Sequence, residues 1–192
     1  MVWVISINNF SKIKTMKIFK YALLAIPFLY FSCNDDDDTP EPVNEEEVIT
    51  TMNVYVDGAL AMSSTDSDGD GPLEPVVTDG VLAANTTYSV RLEFLNELED
   101  PAENYTYEII EEGIDHQIFV SLNNGSDVSI NNFNLDENGN ILGTQFQLTT
   151  GSVGEGTITI TLVHEPMKPN DGLDSAGGSI DIQVTFDVLV YN

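Results

Sequence analysis

Carboxylates at alternate positions are the first candidates for chemistry in this sequence. Asp66, Asp68 and Asp70 are separated by single residues, a glycine follows each of the last two, and Glu74 lies close behind. Glycines let such a loop curl around a hard cation, and Ca²⁺ takes about six to eight oxygen ligands. The spacing predicts a calcium site formed by these four residues. The alternative is an acidic turn that is simply solvated.

The same segment resembles the start of an EF-hand or thrombospondin type 3 calcium loop. It departs from the EF-hand at the twelfth position, where Val77 replaces a bidentate glutamate, and Pro72 follows the last glycine. The resemblance therefore implies a site that Glu74, Asp79, backbone carbonyls or water would complete. Calcium is the one cofactor that the motifs favour.

Two histidines form a second candidate site. His116 and His164 each share the phase of apolar residues on a predicted strand, so both side chains are expected to point inward near strand ends. If the two strands are neighbours, the rings meet near Asp115 or Glu165. Imidazole and carboxylate groups together bind transition metals. The alternative is a pair of core histidines with satisfied hydrogen bonds.

Few arrangements in the chain suit catalysis. No serine stands in a nucleophile-elbow pattern, and no glycine-rich loop follows a strand into a helix. Glu111, Glu112 and Asp115 are the carboxylates to consider for a small hydrolase, since a glycosidase needs two carboxylates at a defined separation. The chain after Cys33 has few aromatic residues and no tryptophan, which disfavours a sugar cleft. We therefore expect a protein that is not an enzyme.

The single cysteine, Cys33, lies between an apolar stretch and an acidic one. Several lysines and then the apolar residues 21–31 precede it. This apolar stretch is shorter than the roughly 20 residues that a transmembrane helix needs. The pattern predicts a cleavable signal peptide over residues 1–32, with Met16 as an alternative start of translation.

The segment Leu29-Tyr30-Phe31-Ser32-Cys33 resembles the lipobox of bacterial lipoproteins. The resemblance implies a diacylglyceryl group on the cysteine sulfur, and two or more acyl chains hold a protein stably on a membrane. Phe31 stands where alanine or serine is usual, which is similar to the looser lipoboxes of Bacteroidota. In that group an acidic run after the cysteine looks like a signal for export to the outer face of the outer membrane. Here the run consists of Asn34, Asp35, Asp36, Asp37 and Asp38.

These features predict where the protein resides and exclude one class of partner. We expect a lipid-anchored outer-membrane protein that faces the cell exterior, with the periplasmic face or a secreted protein with an unmodified cysteine as alternatives. The whole chain has a net charge of −26. All 32 acidic residues follow Cys33, as do only Arg91 and Lys168 of the basic ones, which gives −30 for the mature chain. Nucleic acid is excluded because phosphates require a basic surface. The expected partners are the membrane, through the lipid, and an unidentified surface protein or glycan.

The mature chain divides into a linker and a domain. Residues 33–47 are rich in charge and proline, which predicts a disordered linker after the lipidated cysteine. Residues 48–192 have the composition and length of one globular domain. Apolar and polar residues alternate there, as around Ile180, Ile182 and Val184, and short turn sequences separate the segments. We expect an all-β antiparallel sandwich of about seven or eight strands.

One short helix is expected within this sandwich. Asp100-Pro101-Ala102-Glu103 has the spacing of a capping box with proline at the first helical position. The β-branched and aromatic residues of 105–110 instead favour a strand. The sequence therefore predicts a short helix or turn that begins near Pro101.

Two further resemblances concern fold and family. The segment Leu82-Ala83-Ala84-Asn85-Thr86-Thr87-Tyr88 is similar to the tyrosine corner of fibronectin type III domains, which implies an immunoglobulin-like or fibronectin III-like sandwich. Much of the chain between Asp66 and Val190 resembles small lipoproteins of Flavobacteria-like bacteria. Some of those are labelled as a type 1 periplasmic binding fold, but that fold needs two lobes of alternating helices and strands, which this pattern does not provide.

The leading functional prediction is a non-catalytic, lipid-anchored outer-membrane surface protein, either a binding or adhesion module or an accessory module, in which the acidic loop would hold a structural calcium ion. One alternative is a metal-capturing lipoprotein that uses the acidic charge and the histidine pair. The other is a small hydrolase.

Overall fold

The computed structural model describes residues 47–69, 71–123 and 127–192. These residues form eleven strands and two short helices, all within one compact unit. The strands are β1 (Thr51–Val56), β2 (Ala59–Thr65), β3 (Val76–Thr78), β4 (Gly80–Ala83), β5 (Thr87–Asn96), β6 (Glu103–Asn104), β7 (His116–Asn123), β8 (Val128–Asn131), β9 (Gln145–Thr150), β10 (Gly154–His164) and β11 (Ser179–Tyr191). The helices are α1 (Thr106–Glu111) and α2 (Leu173–Ala176).

The strands form two sheets. The seven-stranded sheet has the order β3-β2-β1-β5-β9-β8, with β6 added to β5. The four-stranded sheet has the order β4-β11-β10-β7, and only its β4 and β11 pair in parallel among the described strands. The expected all-β antiparallel sandwich is confirmed. The described strands outnumber the seven or eight expected because β3, β6 and β8 have only two to four residues each, too few to show a period of two.

Alternation along the strands explains the two-layer architecture. On β5, Val90, Leu92 and Phe94 are at most 3% exposed, whereas the residues between them are partly or fully exposed. On β11, Phe186 and Val188 show the same pattern. Each sheet therefore buries one apolar face against the other, and this burial is the main favourable contribution to folding.

A tyrosine fixes the passage from one sheet to the other. β4 belongs to the four-stranded sheet and β5 to the seven-stranded sheet. The Tyr88 hydroxyl accepts a hydrogen bond of 2.8 Å from the backbone N–H of Ala83. The hydroxyl thus ties the start of β5 to the end of β4, which is the role that the tyrosine-corner resemblance implied.

The helix expected near Pro101 lies farther along the chain. Residues 103–104 form β6, and α1 begins at Thr106 within the segment whose composition favours a strand. The Thr106 hydroxyl accepts a 2.8 Å hydrogen bond from the Phe94 backbone N–H, and Ile109 is fully buried. Packing against β5 therefore overrides the local preference. No helix within the described ranges is long and apolar enough to cross a membrane.

Candidate metal centre

His116 and His164 meet at one end of the four-stranded sheet. β7 begins at His116 and β10 ends at His164, and the antiparallel register places the two residues directly opposite each other. Their rings stack with centroids 4.7 Å apart and planes 21° from parallel. His116 is fully buried and His164 is 7% exposed. The strand neighbourhood on which the histidine hypothesis depended is therefore present.

Two carboxylates complete a set of four candidate ligands. Glu47 and Asp181 each bring a carboxylate oxygen to the two rings, and the four ligand atoms all lie within 4.8 Å of one another. Glu47 precedes β1, and Asp181 is the third residue of β11. The set thus combines ligands from three strands of one sheet with a residue from the chain leading into the other sheet.

A β-bulge explains how Asp181 joins the histidines. Ile182 lies opposite Leu162, whereas Ile180 lies opposite Val163, so Asp181 is the extra residue between two registered pairs. Strict alternation with the flanking isoleucines would have placed Asp181 on the outer face. A bulge redirects side chains, and Ile180 is correspondingly 54% exposed.

Glu47 was assigned to the linker from its composition, but the structure places it in the domain. Its side chain is only 7% exposed, and its Oε1 lies 3.4 Å from the Nε2 of His116. A single glutamate at the edge of an acidic run carries no local signal that separates it from its neighbours.

Asp115 and Glu165, the carboxylates expected beside the histidines, are not in the ligand set. Both residues are exposed, and the Glu165 backbone N–H donates a 2.6 Å hydrogen bond to the Asp115 carbonyl. This backbone hydrogen bond therefore links the residue before His116 to the residue after His164. Adjacency in sequence does not bring their side chains inward, because successive residues point to opposite faces.

The two nitrogens of His116 have different surroundings. Nδ1 lies 3.1 Å from the backbone carbonyl of Glu112, which can only accept, so Nδ1 must carry the proton. This contact leaves Nε2 as the nitrogen that faces Glu47. A histidine whose Nδ1–H is held by a carbonyl presents the Nε2 lone pair to a metal in a fixed orientation.

The electrostatics favour a positive charge between His116 and Glu47. Burial alone would lower the pKa of His116, but the Glu47 contact, the Glu112 carbonyl and the charge of Asp181 outweigh it and raise that pKa. The His116 contact lowers the pKa of Glu47, against its burial, and the charges of both histidines add to that effect. The positive charge can be supplied by a proton on His116 or by a metal cation.

The donor set suits one class of metal better than another. Zinc ligands at about 2.0 to 2.2 Å in a tetrahedron lie roughly 3.3 Å apart, and the ligand atoms here are all within 4.8 Å. Two imidazoles with two carboxylates suit zinc and neighbouring divalent transition metals. Calcium is a poor match because it prefers oxygen ligands alone.

A cavity adjoins the carboxylate side of the centre. The cavity, of about 330 Å³, is lined by Glu47 and Asp181, together with Asp66 and Gly69 of the acidic loop. The two histidines do not line this cavity. A cation would therefore enter through the carboxylates and meet the imidazoles at the buried end.

Lys168 supports the histidine end of the site. Its ammonium donates to the backbone carbonyls of Gly113 and His116, at 2.7 and 2.5 Å, and to Asp136 at 3.2 Å. The side chains of Lys168 and Asp136 are 5% and 0% exposed. This buried ion pair holds the chain that follows β10 against the start of β7, where His116 lies.

The predicted calcium loop remains a prediction. Asp70 lies outside the described residues. The Asp68 backbone N–H donates to Asp66 at 3.2 Å, and the Leu73 N–H donates to Asp68 at 3.2 Å, so both carboxylates stabilise the turn itself. Within the described ranges, Asp66, Asp68 and Glu74 do not form a set of converging metal ligands.

The carboxylates considered for a hydrolase are dispersed. Glu111 and Asp115 are exposed and belong to no converging set in the described chain. Glu112 groups instead with Glu47 and Glu108. The lipidation site Cys33 and the export signal at residues 34–38 lie outside the described residues.

Comparisons with known proteins add little. No protein-family model matches the sequence, and no curated protein matches it. Among solved structures, the chain is similar to domains 4 and 5 of the S-layer protein SbsC, at 14% identity over 74% of this chain and 77% of that one, with a TM-score of 0.26. A likeness at that TM-score carries no argument about this protein.

Proposed function

We propose that this chain is a non-catalytic, lipid-anchored surface protein that binds a divalent transition metal through Glu47, His116, His164 and Asp181. The convergence of two buried imidazoles with two carboxylates is the observation that carries the proposal. Zinc is the metal that this donor set fits best.

The arrangement is unusual for a histidine pair that serves packing alone. Stacking two imidazoles in the interior removes both from water, and burying polar groups costs free energy unless they are compensated. Nε2 of His116 has no hydrogen-bond partner within the described chain, although it faces a carboxylate at 3.4 Å. A metal ion bound by this nitrogen and by Glu47 would satisfy both.

The lipid anchor is the part of the proposal that rests on sequence features alone. The lipobox-like segment ending at Cys33 and the acidic run after it support a diacylglyceryl anchor and export to the cell surface. Mass spectrometry of the membrane form should find the acyl groups on Cys33, and protease added to whole cells should remove the domain. An unmodified cysteine, or a domain that whole cells protect, would remove this part of the proposal.

Binding of a glycan receives less support. A groove of about 480 Å³ lies on the four-stranded sheet, and the residues that line it include Asp79, Glu155 and Asp187 but no aromatic residue. The exposed aromatic residues in the described part of the chain are Tyr107 and Tyr191, on separate elements. Sugar sites normally present an aromatic surface.

Isothermal calorimetry with Zn²⁺ on the purified protein, in excess Ca²⁺ to suppress nonspecific binding, tests the metal proposal. We expect one zinc ion per chain. His164→Gln and Asp181→Asn should each weaken the affinity at least about tenfold, because each removes a ligand. Glu165→Gln, an exposed neighbour of His164, is the matched control and should bind as the parent does. Equal zinc affinity in all four proteins would contradict the proposal.

A further inference from the structure

We propose that Glu47 also forms part of a second cation site, together with Glu108 and Glu112, that takes a hard divalent cation such as Mn²⁺, Mg²⁺ or Ca²⁺. This inference rests on the proposed function in that Glu47 would bridge the two cations. The second site is an all-oxygen site formed by Glu47 with one residue of α1 and the residue that caps this helix.

The three carboxylates converge although they come from distant parts of the chain. Glu108 lies on α1, and Glu112 caps its C-terminal end, so the two side chains are one helical turn apart on the same face. Glu47 approaches them from the chain before β1, and one oxygen from each of the three lies within 4.8 Å of the others. Three like charges this close repel one another unless a cation lies between them.

An unpartnered oxygen on Glu47 points independently to a ligand. The Glu47 side chain is 93% buried, since only 7% is exposed. Its Oε1 faces His116, whereas its Oε2 is buried and has no hydrogen-bond partner in the described part of the chain. Leaving a buried carboxylate oxygen unsatisfied is costly. A carboxylate with two oxygens can bind one cation with each of them.

No basic side chain in the described ranges neutralises this cluster. Arg91 pairs with Glu93, and Lys168 is bonded to Asp136 and to two backbone carbonyls. These two are the basic residues, histidine aside, that follow the signal segment. Apart from a proton on His116, which faces the Glu47 Oε1, a cation from solvent is therefore the available source of positive charge.

The chemistry of the site selects a hard cation. Its ligands are oxygens only, and Glu108 and Glu112 are exposed, so water can complete the six or so positions that Mn²⁺, Mg²⁺ or Ca²⁺ require. The imidazole side selects zinc instead. The two sites would thus hold different metals and share one carboxylate.

Titration of the zinc-loaded protein with Mn²⁺, followed by electron paramagnetic resonance of the free ion, tests the inference. We expect one Mn²⁺ per chain, with affinity at least about tenfold weaker in Glu108→Gln and Glu112→Gln. Zinc affinity should change less than Mn²⁺ affinity in Glu108→Gln, because Glu108 is not itself one of the four proposed zinc ligands. Glu111→Gln, the exposed residue between them on α1, should bind both metals as the parent does.

The outcomes separate this inference from the proposed function. If zinc binds once per chain but Mn²⁺ affinity is the same in the parent, Glu108→Gln and Glu111→Gln, the second site is overturned and the zinc site stands. If Mn²⁺ binding is lost instead in an Asp66→Asn/Asp68→Asn variant, the ion occupies the acidic loop, and the second site is again overturned. If no zinc binds but Mn²⁺ still depends on Glu108 and Glu112, the zinc proposal fails and the oxygen site remains.

Discussion

The ammonium nitrogen of Lys168 lies 2.5 Å from the backbone carbonyl oxygen of His116. The lysine follows the end of β10, and the histidine begins β7, so this contact joins the two chain segments that carry the stacked imidazoles. The charge of Asp136, 3.2 Å from the same ammonium, compensates its burial. Lys168, one of the two lysine or arginine residues after Cys33, therefore helps to position the candidate metal centre.

Replacing Lys168 by methionine should destabilise the protein by about 3 kcal/mol, because it leaves the buried Asp136 carboxylate without its counter-charge. Urea denaturation of the metal-free protein would measure the loss. The control is Arg91→Gln: Arg91 is 47% exposed and 3.7 Å from Glu93, so its loss should cost less than about 1 kcal/mol. Equal costs for the two substitutions would contradict the structural role of Lys168.

The Asp136 carboxyl should make stability sensitive to acid. Burial would raise its pKa, but the Asn140 N–H, the Lys168 ammonium and the Asn138 N–H outweigh this and lower the pKa below the ordinary 3.8. The stabilisation is therefore complete above pH 3.8 and is lost as the pH falls through the folded-state pKa.

Urea unfolding between about pH 6 and about pH 2 would test this sign. At the upper end of this pH range, the free energy of unfolding of the parent protein should exceed that of Asp136→Asn. This difference between the two proteins should shrink as the pH falls below 3.8. Glu137→Gln, an exposed neighbour, controls for removal of one negative charge. A difference that grows toward acid would show that the assignment is wrong.

The tyrosine corner should contribute a measurable hydrogen bond. Tyr88→Phe removes the 2.8 Å contact with the Ala83 N–H and should cost about 1 kcal/mol or slightly more, since a donor loses its partner. Tyr107→Phe is the matched control, because Tyr107 is 75% exposed. Thermal unfolding should shift for the first variant and stay unchanged for the second.

A glycine beside the candidate metal centre is required by close packing. Gly178 has φ +74°, and a Cβ added there would clash with the His164 carbonyl oxygen. Gly139 has a similar φ of +83° but open space around it. We expect Gly139→Ala to cost about 1 kcal/mol from backbone strain alone, and Gly178→Ala about 2 to 4 kcal/mol. Equal losses in denaturation would indicate that the contact with His164 is easily relieved.

Zinc should stabilise the fold through the proposed ligands. At a free concentration of about 100 times Kd, a metal that binds only the folded state raises the free energy of unfolding by about 2.7 kcal/mol. The thermal midpoint should rise accordingly and return to its starting value with a chelator. Asp181→Asn should show a smaller rise at the same zinc concentration, whereas Glu165→Gln should match the parent.

Local sequence patterns were sufficient to assign the longer strands and the faces that they bury. Alternation has a period of two and is visible locally, so the buried positions around Leu92, Ile160 and Phe186 could be assigned without knowledge of the partner strand. The seven-residue tyrosine-corner motif that ends at Tyr88 could likewise be recognised from neighbouring residues alone. The inward orientation of His116 and His164 followed from the same alternation, because a side chain in the phase of its apolar neighbours faces the core.

The groups that surround the histidines could be identified only from the way the sheets pack. Glu47 comes from a segment whose composition indicated a linker, and it reaches His116 across 69 positions of sequence. Asp181 faces the site because a bulge between Val163 and Leu162 breaks the alternation. Bulges and long-range approaches depend on how strands pair and how sheets pack, and neither leaves a periodic trace in the residues themselves.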